Sequence, residues 1–180
     1  MEYNTRKPNR LQNYDYSENG VYFITVCTKD MKCLLSQIVR DKSVGDGVLD
    51  VPQIKLTDYG KIVNDRIIEM NSVYKNVNVE KYVIMPNHIH LLIIIDNYSE
   101  DITAGNGTSR TPSPTRQNSI ISNFVSTLKR YTNKQFGYNI WQRSFHDHII
   151  RNEEDYLIRW QYIDENPKKW LIGKDEYYSL

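Results

Sequence analysis

Two histidines separated by one residue are the first feature of this 180-residue sequence that could support chemistry. His88 and His90 interrupt an apolar run, HIHLLIII, which is the most β-prone stretch of the chain. On a strand, alternate side chains point to the same face, so both imidazoles share one face while Ile89 points into the core. Two neutral imidazoles completed by oxygen donors suit Mn²⁺ or Mg²⁺ when a phosphate oxygen joins the ligands. The pattern predicts one metal site at His88 and His90.

A second pair with the same spacing, His146 and His148, flanks Asp147 on another predicted strand. Composition alone does not choose between the two pairs. The setting of the second pair is more polar, which favours a solvated strand face, or outer partners of the first site, over a second metal site.

Tyr162 stands out among the 14 tyrosines by its position on the last predicted helix. Arg159 precedes it by three residues and Asn166 follows it by four, so Tyr162 and Asn166 share a helix face. That face would present a phenol nucleophile and an amide oxygen, a third metal ligand, to the histidine strand. The alternative is that Tyr162 is an amphipathic packing residue at the edge of the apolar stripe. The predicted stripe consists of Tyr156, Leu157, Trp160 and Ile163.

The elements that position these residues follow from hydrophobic periodicity. Apolar, β-branched runs predict core strands at 21–28, 77–85, 88–95 and 141–150, and a hairpin lies between 34 and 56. Helical spacing predicts helices at 57–74, capped by Thr57; at 119–136, ended by Gly137; and after the cap Asn152, ended by Pro167. Without the hairpin and the last helix the order is βαββαβ. It predicts an α+β, ferredoxin-like fold: one antiparallel sheet with both helices on one face, plus a hairpin insertion and a C-terminal helix that carries the tyrosine.

Length and composition predict a single domain, 1–180, with 39% apolar and 25% charged residues. Residues 1–18 are predicted to form a polar N-terminal arm, and residues 97–118, rich in Gly, Ser, Thr, Pro and Asn, a mobile loop. No apolar run approaches the ~20 residues of a membrane span, and no signal peptide is visible. Cys27 and Cys33 form no metal or disulfide motif, so we expect reduced thiols in the cytoplasm.

Taken together, the motifs resemble the single-tyrosine HUH transposases, whose name denotes two histidines around a hydrophobic residue, and among them the REP-associated tyrosine transposase branch. Residues 82–92, YVIMPNHIHLL, are similar to the histidine strand of that family with its preceding Met-Pro-Asn turn. Residues 141–145, WQRSF, followed by His148, the segment 150–152, Tyr162-Ile163 and Asn166-Pro167, resemble its C-terminal signature. Residues 10–11, 14–16 and 22–25 resemble its N-terminal signature.

The resemblance implies His88 and His90 as metal ligands, Tyr162 as the nucleophile and Asn166 as the third ligand, with Mg²⁺ or Mn²⁺ as cofactor. It implies cleavage and rejoining of single-stranded or hairpin DNA through a 5′-phosphotyrosine. The net charge of +1 does not itself indicate a nucleic-acid partner, but the basic residues are clustered. The expected DNA contacts are Arg6, Lys7, Arg10, Lys129, Arg130, Arg143 and Arg151.

Two rival functions use the same fold. One is a DNA-binding protein that is catalytically idle, and the other is a metal-dependent nuclease that acts through water. We expect a monomer or a homodimer that does not associate with membranes.

Overall fold

A computed structural model of the chain describes residues 14–40, 52–97 and 119–172. Its strands are β1 (Gly20–Cys27), β2 (Ser36–Arg40), β3 (Pro52–Leu56), β4 (Val77–Ile84), β5 (His88–Ile95) and β6 (His146–Ile150). Its α-helices are α1 (Asp58–Val73), α2 (Ile120–Phe136) and α3 (Glu153–Leu171), and a 3₁₀ turn spans Lys29–Met31.

Four strands form one sheet in the order β4-β5-β1-β6, and every neighbouring pair is antiparallel. With α1 and α2 between the strands, this order is that of a ferredoxin-like βαββαβ fold, as predicted. The strands β2 and β3 pair separately as the expected hairpin. In the central pair, Thr25 lies opposite His90 and Cys27 opposite His88, so the histidines sit in the middle of the sheet.

The two faces of the sheet carry different cores because strand side chains alternate. Ile24 of β1 and Ile89 of β5 belong to the larger core, together with Ile67 of α1 and Phe124 of α2. On the opposite face, α3 and the hairpin cover a smaller core. Its buried residues are Phe23, Val83, Met85, Leu92 and Ile163. His88 and His90 share the strand parity of Leu92, so they lie on the α3 face.

The helices begin where the sequence predicts because a side-chain oxygen accepts a backbone N–H in each first turn. Thr57 accepts from Gly60, Ser119 from Ser122, and Asn152 from Asp155. Gly137 ends α2 with a φ of 76°, a left-handed conformation that glycine adopts without steric cost.

The fourth core strand is shorter than predicted. The sequence suggested 141–150, but β6 is His146–Ile150, and Trp141 makes only an isolated bridge to Thr28. The Lys129 ammonium explains the difference because it donates to the backbone carbonyls of residues 142, 143 and 144. Those carbonyls point at a lysine rather than at a neighbouring strand.

The prediction that Pro167 ends the last helix is wrong, since α3 continues to Leu171. A proline inside a helix leaves one carbonyl without its intrahelical donor and costs about 3 kcal/mol. The turn beyond Pro167 nevertheless forms, because it places Trp170 against the smaller core, 6.2 Å from the ring of His88.

Some predictions fall on residues outside the described ranges: the hairpin tip, the arm before residue 14 and the loop after Asn97. Asn97 itself donates its side-chain amide to the Ser17 carbonyl. Within the predicted arm, Tyr16 is buried in the larger core beside Tyr22, and residues 14–17 are at least partly buried against the domain. Among the helices of the described part, none is long and apolar enough to cross a membrane.

Candidate active site

The histidine pair is buried beneath α3. His88 is 6% exposed and His90 is 4% exposed, and their ring centroids are 4.6 Å apart with the rings tilted by 70°. This proximity follows from the two-residue repeat of β5, as the sequence predicts.

Each histidine has a hydrogen-bond partner on the ring nitrogen nearer the backbone. His88 Nδ1 lies 2.6 Å from the side-chain oxygen of Asn87, and His90 Nδ1 lies 2.8 Å from the hydroxyl of Thr25. An amide oxygen only accepts hydrogen bonds, so Asn87 holds the proton of His88 on Nδ1. The lone pair of that ring is then on Nε2, the atom that a metal would use.

Both imidazoles are held in the neutral form. Burial lowers the pKa of His88 to about 4. Burial, and then the nearby His88 and Arg159, hold the pKa of His90 well below its usual range. Neutral imidazole is the form that binds metal, so neither ring needs to lose a proton near pH 7.

Two buried polar atoms in this region have no hydrogen-bond partner among the described residues: His90 Nε2 and Asn166 Oδ1. Asn166 is 1% exposed, and its Nδ2 makes only a long bond of 3.4 Å to the Tyr162 carbonyl. Leaving such an acceptor unpaired costs about 1–3 kcal/mol, so native proteins rarely tolerate one without a function.

The donor set fits a divalent metal. Mn²⁺ and Mg²⁺ accept imidazole nitrogens and an amide oxygen as ligands. These ligands are all neutral, so an anionic phosphate would supply the negative charge that balances the ion. In the described part of the chain no three His, Cys, Asp or Glu side chains are grouped to hold a metal. A metal at this site would need a third ligand of another kind, and Asn166 remains the residue that the sequence predicts for that role.

The ring of Tyr162 lies 5.2 Å from that of His90, so α3 brings the predicted nucleophile to the predicted ligands. Phe23 stacks on His90 at 5.0 Å and meets Tyr162 edge-on at 5.7 Å. The ammonium of Lys169, which also pairs with Glu165 Oε2 at 2.9 Å, lies 5.3 Å from the centre of the Tyr162 ring. The half-buried phenol thus stands between an aromatic wall and a cation.

The apolar stripe predicted for α3 is wrong at one position, since Leu157 is 56% exposed. The helix instead packs through Tyr156, Trp160 and Ile163, which repeat at four- and three-residue intervals. Leu157 lies one residue, or about 100°, away from that line and so points outward.

The second histidine pair lies on the same face of the sheet, but both residues are exposed. His148 Nε2 lies 2.6 Å from Asp155 Oδ2, and Asp155 Oδ1 accepts a hydrogen bond from Arg159 Nε at 3.3 Å. His148 therefore connects β6 to α3.

The basic residues that sequence reasoning assigned to DNA lie in different settings. Lys129 directs its ammonium to three backbone carbonyls and serves the fold. Arg130 on α2 is exposed, as are Arg143, three residues before β6, and Arg151, directly after it. The remaining three precede the described residues: Arg6, Lys7 and Arg10.

Five residues of this site were not assigned a site role from the sequence, and one of them, Lys169, lies two turns after Tyr162 on the same helix. Asn87 is adjacent to His88 and Arg159 is one turn before Tyr162, so local spacing gave a signal for both. Phe23 and Thr25 reach His90 only through the pairing of β1 with β5, 65 residues apart for Thr25 and His90.

Similarity to known proteins decides the family. No family model matches the chain. Two Haemophilus influenzae proteins are each 30% identical to it. An uncharacterized one aligns over 180 residues, 96% of this chain and 93% of its own length. The other, assigned as a REP-associated tyrosine transposase, aligns over 187 residues, 94% of this chain and 85% of its own length. The chain belongs to the REP-associated tyrosine transposase family.

A solved structure has the same fold as this member of the family. It is a REP-associated tyrosine transposase bound to a REP hairpin, with a TM-score of 0.58 and 21% identity, over 89% of this chain and 73% of that one. At this identity the match establishes the α+β architecture, while the chemistry of the site rests on the residues described above.

Proposed function

We propose that this transposase cleaves and rejoins single-stranded or hairpin DNA through a covalent bond between Tyr162 and a 5′-phosphate. His88, His90 and Asn166 would hold the divalent metal, Mg²⁺ or Mn²⁺. The observation that carries the proposal is the position of the Tyr162 ring, 5.2 Å from His90, in a region where His90 Nε2 and Asn166 Oδ1 are buried with no hydrogen-bond partner among the described residues.

The chemistry is a transesterification. The phenol oxygen of Tyr162 bonds to phosphorus, the bond from phosphorus to the 3′-oxygen breaks, and that oxygen takes up a proton as the phenol loses one. An ordinary phenol has a pKa of about 10, so its proton must be removed, and the Lys169 ammonium would favour the phenolate. A bound divalent metal would supply charge stabilisation at the phosphate. Attack by another 3′-hydroxyl on the phosphotyrosine rejoins the strands without a nucleotide cofactor.

Two observations favour DNA as the partner. The related solved structure contains a REP hairpin. In this chain, Arg130, Arg143 and Arg151 are exposed and available to phosphates. We keep them as proposed contacts together with the arm residues Arg6, Lys7 and Arg10. We leave Lys129 out, because its donors are already used within the fold.

A denaturing gel separates this function from its two rivals. Wild-type protein incubated with Mn²⁺ and a REP-type hairpin with single-stranded flanks should give a covalent protein–DNA adduct. A nuclease that uses water would cut without an adduct, and an idle protein would only bind.

Tyr162→Phe should abolish the adduct and leave DNA binding nearly intact, because it removes only one hydroxyl. Tyr156→Phe is the matched control, since Tyr156 lies on the same helix and packs against the same core. It should retain the adduct. An undiminished adduct in Tyr162→Phe would show that a different tyrosine is the nucleophile.

A further inference from the structure

Arg159 is a cation at the edge of the candidate site that has no part in the metal set. It lies on α3 one turn before Tyr162, with its guanidinium carbon 5.6 Å from the centre of the Phe23 ring. The same ring contacts His90 and Tyr162 at 5.0 and 5.7 Å. The guanidinium therefore belongs to the cluster that surrounds the nucleophile.

The guanidinium is anchored through one nitrogen only. Arg159 Nε donates to Asp155 Oδ1 at 3.3 Å, and the other oxygen of Asp155 lies 2.6 Å from His148 Nε2. The two terminal nitrogens of Arg159 make no hydrogen bond to any residue within 14–40, 52–97 or 119–172. The side chain is 21% exposed, so this fork of donors is held in place while it remains open to a ligand.

We propose that Arg159 is a catalytic residue that binds the phosphate attacked by Tyr162, and that Asp155 and His148 are its positioning residues. The inference rests on the proposed function and adds a contact to it. As the phenol oxygen bonds to phosphorus and the bond to the 3′-oxygen breaks, charge on the nonbridging oxygens is stabilised by the two terminal N–H groups. A guanidinium fork matches two phosphate oxygens, which a lysine ammonium cannot do in the same way.

The chain offers a matched control for a purely structural ion pair. Arg66 on α1 is 18% exposed, pairs with Glu69 at 2.9 Å and stacks 4.0 Å over the Tyr131 ring. Its burial, carboxylate partner and aromatic neighbour resemble those of Arg159. Both α1 and α2, however, cover the opposite face of the sheet, away from His90. If Arg159 only supports the fold, the two arginines should respond alike to substitution.

Binding is tested first, in the Tyr162→Phe background, so that cleavage does not interfere. The probe is the REP-type hairpin with single-stranded flanks, titrated over a range of salt concentrations. Arg159→Ala should weaken binding and reduce the salt slope by about 0.7, the value for one phosphate of a single strand, whereas Arg66→Ala should change neither. Equal slopes for both variants and their parent would overturn the phosphate contact.

The contact is then mapped with probes that carry one uncharged methylphosphonate at successive positions. At one position the methylphosphonate should weaken DNA binding by the parent protein but not by Arg159→Ala. The uncharged phosphonate and the substitution remove the same interaction, so their effects do not add. That position should coincide with the cleavage site of the wild type. If this position lies away from the cleavage site, or if the losses of binding add at every position, the catalytic assignment of Arg159 is overturned.

Cleavage is tested in the otherwise wild-type protein. Arg159→Ala should slow adduct formation by roughly 100-fold, the effect of removing one preorganised donor to a developing oxyanion. Arg159→Lys keeps the positive charge and controls for misfolding of Arg159→Ala. It should restore most of the salt slope of DNA binding but little of the rate of adduct formation. A full rate in Arg159→Lys would overturn the two-nitrogen contact. Asp155→Asn should give a smaller loss of rate than Arg159→Ala.

The tyrosine chemistry and the phosphate contact of Arg159 can be refuted separately. If the wild type binds the probe but never forms an adduct, the tyrosine chemistry is wrong, and a reduced slope in Arg159→Ala would still support the phosphate contact. If the adduct forms and Arg159→Ala behaves like Arg66→Ala, the chemistry stands and the Arg159 inference fails.

Discussion

Replacing Asn166 by leucine should stabilise the metal-free protein and remove its response to metal. Asn166 Oδ1 is buried without a partner among the described residues, and leucine has the same branching at Cγ but no polar atom. The change relieves an unpaired acceptor, worth about 1–3 kcal/mol. It also gives up the 3.4 Å bond from Nδ2 to the Tyr162 carbonyl, and a bond that long lies at the weak end of the usual 0.5–1.5 kcal/mol, about 0.5.

Helix propensity adds a few tenths of a kcal/mol in the same direction, because leucine is a better helix former than asparagine. The free energy of unfolding should therefore rise by about 1–2 kcal/mol, on the order of 2–8 °C in Tm for a chain of this size. Asn133→Leu on α2 is the control, since Asn133 donates to Asn139 and accepts from the Ile140 N–H. That variant loses satisfied bonds and should be less stable than the wild type.

Urea unfolding with a chelator and with Mn²⁺ measures both effects. A ligand that binds only the folded state stabilises it by about 2.7 kcal/mol at a concentration of 100 times Kd, and the wild type should gain on this scale. Asn166→Leu should gain far less. If the variant is less stable than the wild type in chelator, the unpaired oxygen is not the liability that the structure indicates. If it responds to Mn²⁺ like the wild type, Asn166 is not a ligand.

Two further predictions concern the histidines. His88→Ala and His90→Ala should each abolish the binding of Mn²⁺ measured by calorimetry, and the double variant should lose little more, because one ion is lost in each case; independent, additive losses would contradict a shared site. In chelator, the unfolded state takes up a proton on residue 88 below about pH 6.5 while the folded state does not until about pH 4, so stability should fall as the pH falls through this window. The contribution of His88 is about 3 kcal/mol. His88→Gln should flatten the profile of unfolding free energy against pH, and an unchanged profile would show that the folded protein accommodates the charged ring.

The sequence determined the features that depend on near neighbours along the chain. His88 and His90 share a face because a strand repeats every two residues, and Tyr162 and Asn166 share one because a helix repeats about every four. The helix caps Thr57 and Asn152 were readable for the same reason, since each cap is a contact within three residues. The order of elements, with the alternation of apolar residues, was sufficient for the ferredoxin-like sheet.

Only the tertiary structure decided which elements stand beside the histidines and what they contribute. Thr25 reaches His90 through the register of β1 against β5, and Asp155 joins His148 to Arg159 across β6 and α3. Two of the three errors, the length of the last strand and the end of the last helix, have the same origin. The local pattern of 141–145 predicts a strand, but Lys129 donates hydrogen bonds to carbonyls of this segment. The local pattern at Pro167 predicts a helix end, but the helix continues and Trp170 packs against the smaller core. Such contacts depend on the register and packing of segments that are distant in the sequence. A local pattern of residues carries no information about them, although their free energy outweighs local propensity.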